Sequence, residues 1–300
     1  MDPAQHAVRQ AVSDWPLKTL SGWAKLVLTV APNGARRGKA DHPAIPITAD
    51  EVAATAAACL DAGAAMIHLH IRDRDGGHLL DADGYRTAMA AIEARVGRAL
   101  VIQPTTEAVG IYDRHQQMAL VRALRPEQVS MAVRELIPDD AAESQAADFL
   151  AWAREAHVAV QHILYDVADV RRFIALKRRG IIPGHVAPVL FVLGRYVDGQ
   201  HSDPLELLPF IEAWRDAGEA GPWAICAFGR REGAVGAGAA SLGGHVRIGF
   251  ENNFHLADGG VAPNNETLVR AMAELAVRIG RPLATADDLR ETTEAGFRAL

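Results

Sequence analysis

The chain has 300 residues, 49% of them hydrophobic, which is enough apolar mass for one sizeable core. Its net charge of −6 is spread along the chain without a basic block, so composition argues against a nucleic-acid partner. No apolar run approaches the ~20 residues of a membrane span, and the opening MDPAQHAVRQAVSDWPLKTL carries charges where a secretory signal is apolar. Cys59 and Cys226 form no CxxC pair and read as reduced core residues of a cytoplasmic protein.

Residues 1–24 read as a polar N-terminal extension, and 25–300 as one domain. The first strand is KLVLTVAP (25–32). The helix TADEVAATAAACLDAG follows, with Thr48 as cap, Glu51 three residues on and Gly63 as its stop. Then come strand MIHLHIRD (66–73) and helix DADGYRTAMAAIEARVG, strand ALVIQPTT (99–106) and helix DRHQQMALVRAL. Strand QVSMAV (128–133) precedes helix DDAAESQAADFLAWAREA, and strands VAVQHILYD (158–166) and HVAPVLFVLG (185–194) precede helix DPLELLPFIEAWRDAG. PWAICAFG (222–229), HVRIGFEN (245–252), the helix NNETLVRAMAELAVRIG and a short tail TADDLRETTEAGF close the series. The strands are short and apolar on both faces, as parallel strands covered on both sides are. Alternation of this kind without a long linker predicts a single (β/α)8 TIM barrel. The rival, an open doubly wound sheet, usually carries GxGxxG after its first strand; VAPNGARRGKAD lacks it.

His68 and His70 share one face of the second strand, because strand side chains alternate. Their neighbours Ile67, Leu69 and Ile71 suit the helix layer, so the imidazoles face the barrel lumen near the strand's C-terminal end, where barrel chemistry sits. Two neutral imidazoles in a closed space want a partner, and a divalent metal supplies one. A hydrogen-bonded pair of core histidines is the plainer alternative. Glu251, sharing parity with Arg247 and Gly249 on the eighth strand, is the best third ligand; an ion pair with Arg247 or Arg72 is its alternative use. Arg72 continues the histidine face toward the mouth, placed to pair with Asp73 or Asp75 or to meet a ligand. His245 lies at the wrong end of its strand; His78, His115, His185, His201 and His255 fall where surface placement is the default; His162 is mid-strand and ambiguous. A His/His/Glu set favours zinc or another first-row metal.

LTVAPNGA, AGAAMIHLHIRD, VIQPTT, GGHVRIGFENN and LADGGVAPNNETLV together resemble, in order, segments of the beta-keto acid cleavage enzymes. The resemblance implies a TIM barrel and usually a homo-oligomer, dimer or tetramer. It implies zinc held by His68, His70 and Glu251. The implied reaction takes a 3-oxo acid and acetyl-CoA to acetoacetate and a new acyl-CoA. Arg247 would match the arginine that, with an aspartate, activates the nucleophile; Thr105 or Thr106 would match the Ser/Thr that binds substrate. Asn33, Arg36, Thr105, Thr106 and Glu107 are expected as substrate contacts, and Arg247 and Asn252 as catalytic.

Four places depart from the family pattern. The eighth strand ends in Glu251-Asn252 rather than Glu-Asp, and an amide cannot accept a proton. Arg36 stands where the aminohexanoate-cleaving member has a glutamate, which predicts an acyl tail that is polar or anionic. TTEA, with Glu107 and Ala108, replaces TTGG, and Gln161 and His162 lie where the family has a glutamate-bearing stretch. Two other readings compete: a different metal-dependent barrel hydrolase, and a non-catalytic metal-bound binding protein, the latter motivated by Asn252. Partners expected are a small 3-oxo acid and a CoA thioester, with neither nucleic acid nor membrane.

Overall fold

Short runs rich in β-branched and other apolar residues form eight parallel strands in the computed structural model, which describes residues 24–184, 187–196 and 202–298. The expected extension, Ala24 excepted, and the loop histidines His185 and His201 lie outside the described residues. The strands are β1 (Leu28–Val30), β2 (Met66–Leu69), β3 (Val101–Pro104), β4 (Gln128–Ala132), β5 (Ala159–Leu164), β6 (Val189–Leu193), β7 (Trp223–Ala227) and β8 (His245–Ile248). Each pairs in parallel with the next from β4 round to β8, then β8 with β1, and on to β3. A parallel bridge from Thr105, just past β3, to Ser130 on β4 completes the circle. The protein is a TIM barrel.

The eight strands are followed in turn by helices α1 (Ala49–Asp61), α2 (Ala82–Val96), α3 (Arg114–Leu124), α4 (Glu143–Glu155), α5 (Val167–Arg178), α6 (Leu208–Asp216), α7 (Glu232–Ser241) and α8 (Asn265–Arg278). A ninth, α9 (Ala286–Arg298), crosses the N-terminal end of the barrel. The capping box read at Thr48 and Glu51 is present, both bonds formed. The sequence reading assigned no helix at α5 or α7. Three glycines in α7 lower its helix propensity. They serve packing instead: a Cβ on Gly236 would lie 2.6 Å from Met272 Cε and 3.0 Å from Val246 Cγ1.

Strand parity divides the core. Outward residues such as Leu28, Val30, Ile67, Leu69 and Val129 pack with the helices in one large cluster. Inward residues Ala132, Ile163, Leu190, Val192, Ala224, Cys226 and Phe228 form a separate cluster within the lumen. The same inward parity carries Thr29, His68, Gln103, Ser130, Gln161 and Arg247, whose registers place Thr29 beside Arg247, His68 beside Gln103, and Ser130 beside Gln161. Beyond β2 the chain forms a small antiparallel ribbon, Ile71–Arg72 with His78–Leu79.

At the opposite, N-terminal end, a cavity of about 780 Å³ is lined by residues such as Met66, Val160, Trp223, His245, Leu289 and Phe297. None of the expected site residues lines it. Among the described residues, no helix is long and apolar enough to cross a membrane.

Candidate metal centre and active site

The end of β2 delivers both imidazoles to one point. His68 Nε2 and His70 Nε2 lie 3.1 Å apart, and Glu251 Oε2 lies 3.6 Å from the first and 3.5 Å from the second. All three side chains are buried. Oε2 of Glu251 accepts no hydrogen bond, and one donor atom from each residue falls within 4.8 Å of the others. Two imidazole nitrogens and a carboxylate oxygen, dehydrated and converging, fit a divalent first-row ion. Burial, and next the Arg247 guanidinium, hold the His68 pKa well below its ordinary value, so its imidazole is neutral, as a ligand must be. Its Nδ1 lies 3.0 Å from Gln103 Oε1, and Gln103 in turn donates to Gln161 Oε1 at 3.2 Å. That chain fixes the tautomer: the hydrogen sits on Nδ1 and the Nε2 lone pair is free.

Glu251 reaches the cluster through a turn rather than a strand. Sequence parity runs the strand to residue 252, but β8 ends at Ile248 and residues 249–252 fold over. Gly249 makes this possible with φ of 141°, and any Cβ there would lie 2.4 Å from the Ala31 carbonyl oxygen. That same oxygen accepts from Glu251 N at 3.1 Å. Glu232 brackets the turn, accepting from Gly249 N (3.1 Å) and from Asn253 Nδ2 (3.2 Å). Asn265 accepts from Phe250 N (2.9 Å) and donates to the Pro32 carbonyl (3.1 Å). Burial pushes the Glu232 carboxyl up to about 8, against the pull of the Gly249 amide.

Arg247 donates through Nη2 to Glu251 Oε1 at 3.1 Å and to Cys226 Sγ at 3.3 Å, while its Nε has no partner. Burial alone would raise the Glu251 carboxyl; Arg247 first, then His68 and His70, hold it well below the usual carboxylate range. Of the two uses the sequence offered for Glu251, the ion pair with Arg247 is formed through Oε1, while Oε2 is turned toward the two imidazoles. Asn252 is fully buried with both amide atoms unpartnered.

The expected substrate contacts divide. Asn33 spends its amide on the Pro46 and His70 carbonyls, leaving Oδ1 unpartnered. Thr105 Oγ1 accepts from Glu107 N at 3.0 Å, and Thr106 Oγ1 donates to the Ser130 carbonyl at 3.0 Å, so both hydroxyls brace the wall. The Glu107 carboxylate lies 3.9 Å from His70 Nδ1. Arg36 is exposed, its guanidinium 5.4 Å from the centre of the Tyr196 ring. Arg72 does not pair with Asp73 or Asp75: it donates to the carbonyls of Gly34, Gly76, Asn33 and Arg37, tying the loop after β1 to the ribbon.

Sequence reasoning missed several neighbours. Tyr196, in the loop after β6, has a buried hydroxyl without a partner. Its position at a strand's C-terminal end was the available signal. Cys226, read as plain core, faces the lumen under Arg247. His78, expected at the surface, is buried and lies 2.8 Å from the Glu107 carbonyl. His162 resolves as outward-facing, its ring 5.2 Å from that of Phe173.

A parallel α/β barrel with a dehydrated His–His–carboxylate cluster at its C-terminal mouth is the architecture of a barrel enzyme with its site on that face. The chain belongs to the beta-keto acid cleavage enzyme family, whose model matches residues 25–294. It is similar to the 3-keto-5-aminohexanoate cleavage enzyme of Fusobacterium nucleatum, with 30% identity over 276 residues, 89% of this chain and 97% of that protein. It is also similar to the 3-oxoadipate:acetyl-CoA acetyltransferase of Cupriavidus necator, with 27% identity over 272 residues, 88% and 93% of the two chains. Among solved structures it superposes on ObcA, in ternary complex with a C4-CoA adduct and oxalate, with TM-score 0.68 at 18% identity over 84% of this chain and 68% of that one. A likeness to the type I 3-dehydroquinate dehydratase of Clostridium difficile (TM-score 0.57, 8% identity, 88% and 95% coverage) speaks likewise of the fold.

Proposed function

We propose that this protein transfers the acyl part of a 3-oxo acid to CoA, converting 3-oxo acid plus acetyl-CoA into acetoacetate plus a new acyl-CoA, with zinc at His68, His70 and Glu251. The observation that carries the reading is the three buried donors converging on one point, with Glu251 Oε2 unpartnered. A divalent ion held there would supply Lewis-acid polarisation of the keto oxygen. The rest falls to the chain. Arg247 is a permanent cation whose Nε is unpartnered, suited to a substrate carboxylate or a developing enolate. Asn252 offers an unpartnered NH2 donor group and an unpartnered carbonyl oxygen from a dry position, so it orients a reactant without taking its proton. Arg36 at the rim favours an acyl tail that is polar or anionic. The Cupriavidus relative, named for a dicarboxylate, supports that preference. A homo-oligomer accompanies the reading on the strength of the family resemblance, and a cytoplasmic setting on the strength of the two reduced cysteines. So does the division into an extension over residues 1–24 and one barrel domain.

The test incubates zinc-loaded protein with a panel of 3-oxo acids, with and without acetyl-CoA, and measures acetoacetate. Acetoacetate is expected only when both substrates are present, and His68→Ala is expected to lose both bound metal and product. An unimpaired His68→Ala, or a wild type that makes no acetoacetate from any acid, overturns the reading. The second outcome leaves the binding-protein alternative that Asn252 favours. Acetate and the shortened acid released in the arm without acetyl-CoA would instead mark a hydrolase.

A further inference from the structure

We propose that Glu107 is a positioning residue for the metal centre, its carboxylate closing from 3.9 Å to accept the Nδ1–H of His70 once an ion takes the Nε2 lone pair. The inference rests on the metal-centre reading above and goes beyond it, because it moves Glu107 from the substrate to the ligand shell.

The argument begins with tautomers. Both histidines turn Nε2 toward the same point. A neutral imidazole that gives the Nε2 lone pair to an ion carries its hydrogen on Nδ1, and a buried N–H needs an acceptor. For His68 the acceptor is Gln103 Oε1 at 3.0 Å. His70 Nδ1 has no hydrogen-bond partner, though the ring is fully buried. The acid facing it is Glu107, with Oε2 3.9 Å away, about 1 Å beyond a hydrogen bond.

Glu107 is set for the task from both sides. Its backbone N–H donates to Thr105 Oγ1 and its carbonyl lies 2.8 Å from His78 Nε2, so the residue is pinned while its carboxylate stays uncommitted. The side chain is 22% exposed, less than a solvated glutamate would be. The two ligands thus have unlike supports, a neutral amide behind His68 and a carboxylate behind His70. A carboxylate behind an imidazole fixes ring orientation and raises ligand basicity, and removing such a partner typically costs roughly 10- to 100-fold in metal affinity.

The experiment compares wild type, Glu107→Ala and Glu107→Gln, each stripped and titrated with zinc against a chromophoric chelator. Urea unfolding of the metal-free forms serves as the control for folding. Zinc affinity is expected to fall about 10- to 100-fold in Glu107→Ala, and less in Glu107→Gln, which keeps an acceptor but not the charge. In ¹⁵N-histidine-labelled zinc protein the His70 Nδ1–H resonance is expected to move upfield in Glu107→Gln while that of His68 stays in place. A Glu107→Ala protein that binds zinc as tightly as wild type, or an unmoved His70 resonance in Glu107→Gln, overturns the proposal alone. A wild type that binds no divalent ion overturns the metal-centre reading and this proposal with it.

Discussion

Asn252 stands beside the cluster with two unpartnered amide atoms and no capacity to accept a proton, so the residues around it must carry more of the substrate's recognition. Arg36 is the clearest of these. It is exposed, so its pull on an anionic tail is screened and modest, and exposed ion pairs contribute ~0.2–1 kcal/mol. Reversing the charge replaces that attraction with repulsion. Arg36→Glu is therefore expected to lower kcat/KM roughly three- to tenfold for a 3-oxo diacid while leaving an uncharged analogue nearly unaffected. The ratio of the two values checks this, and an unchanged ratio would place Arg36 outside the pocket. The histidine pair was legible from parity alone, because a two-residue period needs no tertiary information. The tie between His70 and Glu107 was not, since it depends on a ring's orientation and on two bonds that pin residue 107 from either side.

The turn after β8 is the element on which the centre depends. Gly249 adopts φ of 141° beneath the Ala31 carbonyl, with no room for a methyl. Gly249→Ala is expected to destabilise the metal-free protein by ~2–4 kcal/mol in urea unfolding, from strain plus a backbone clash. It should also weaken zinc binding, because Glu251 lies two residues on. A fold and affinity equal to wild type would show that the turn relaxes freely. Here the sequence reading brought Glu251 to the histidines by an incomplete route. Parity put Arg247 and Glu251 on one face of an unbroken strand, whereas the chain bends at Gly249 and brings them together four residues apart. The strands were legible because their apolar runs are bounded by polar and glycine-rich segments. Helix α7 was not, because the glycines that let it lie close to Val246 and Met272 erase its local signature. Helix α5 is capped by Asp166, which accepts from Asp169 N. Asp166 also closes the run read as the fifth strand, so one residue served two elements.

At the scale of the whole molecule, buried histidines make stability depend on pH. His162 faces outward from β5 against Phe173, and burial brings its pKa down to about 3 from an ordinary 6.5. Its folded pKa lies below its unfolded one, so below pH 6.5 the unfolded chain takes up the proton first. The stability associated with the neutral ring is complete above 6.5 and falls until the folded pKa near 3 is passed. From pH 7.5 to 5.0 the metal-free wild type is expected to lose ~2 kcal/mol more than His162→Leu. Urea midpoints at the two pH values measure the difference, and parallel losses in both proteins would remove His162 as a source.

The three converging donors come from distant parts of the chain, His68 and His70 from its first quarter and Glu251 from its last. During synthesis the histidines emerge long before the acid that completes their set. A nascent barrel can therefore offer an ion only a two-point hold until the eighth strand has been made and its turn has closed over the first. Convergence of the three donors is thus a late event, and it reports that the barrel's first and last strands have met.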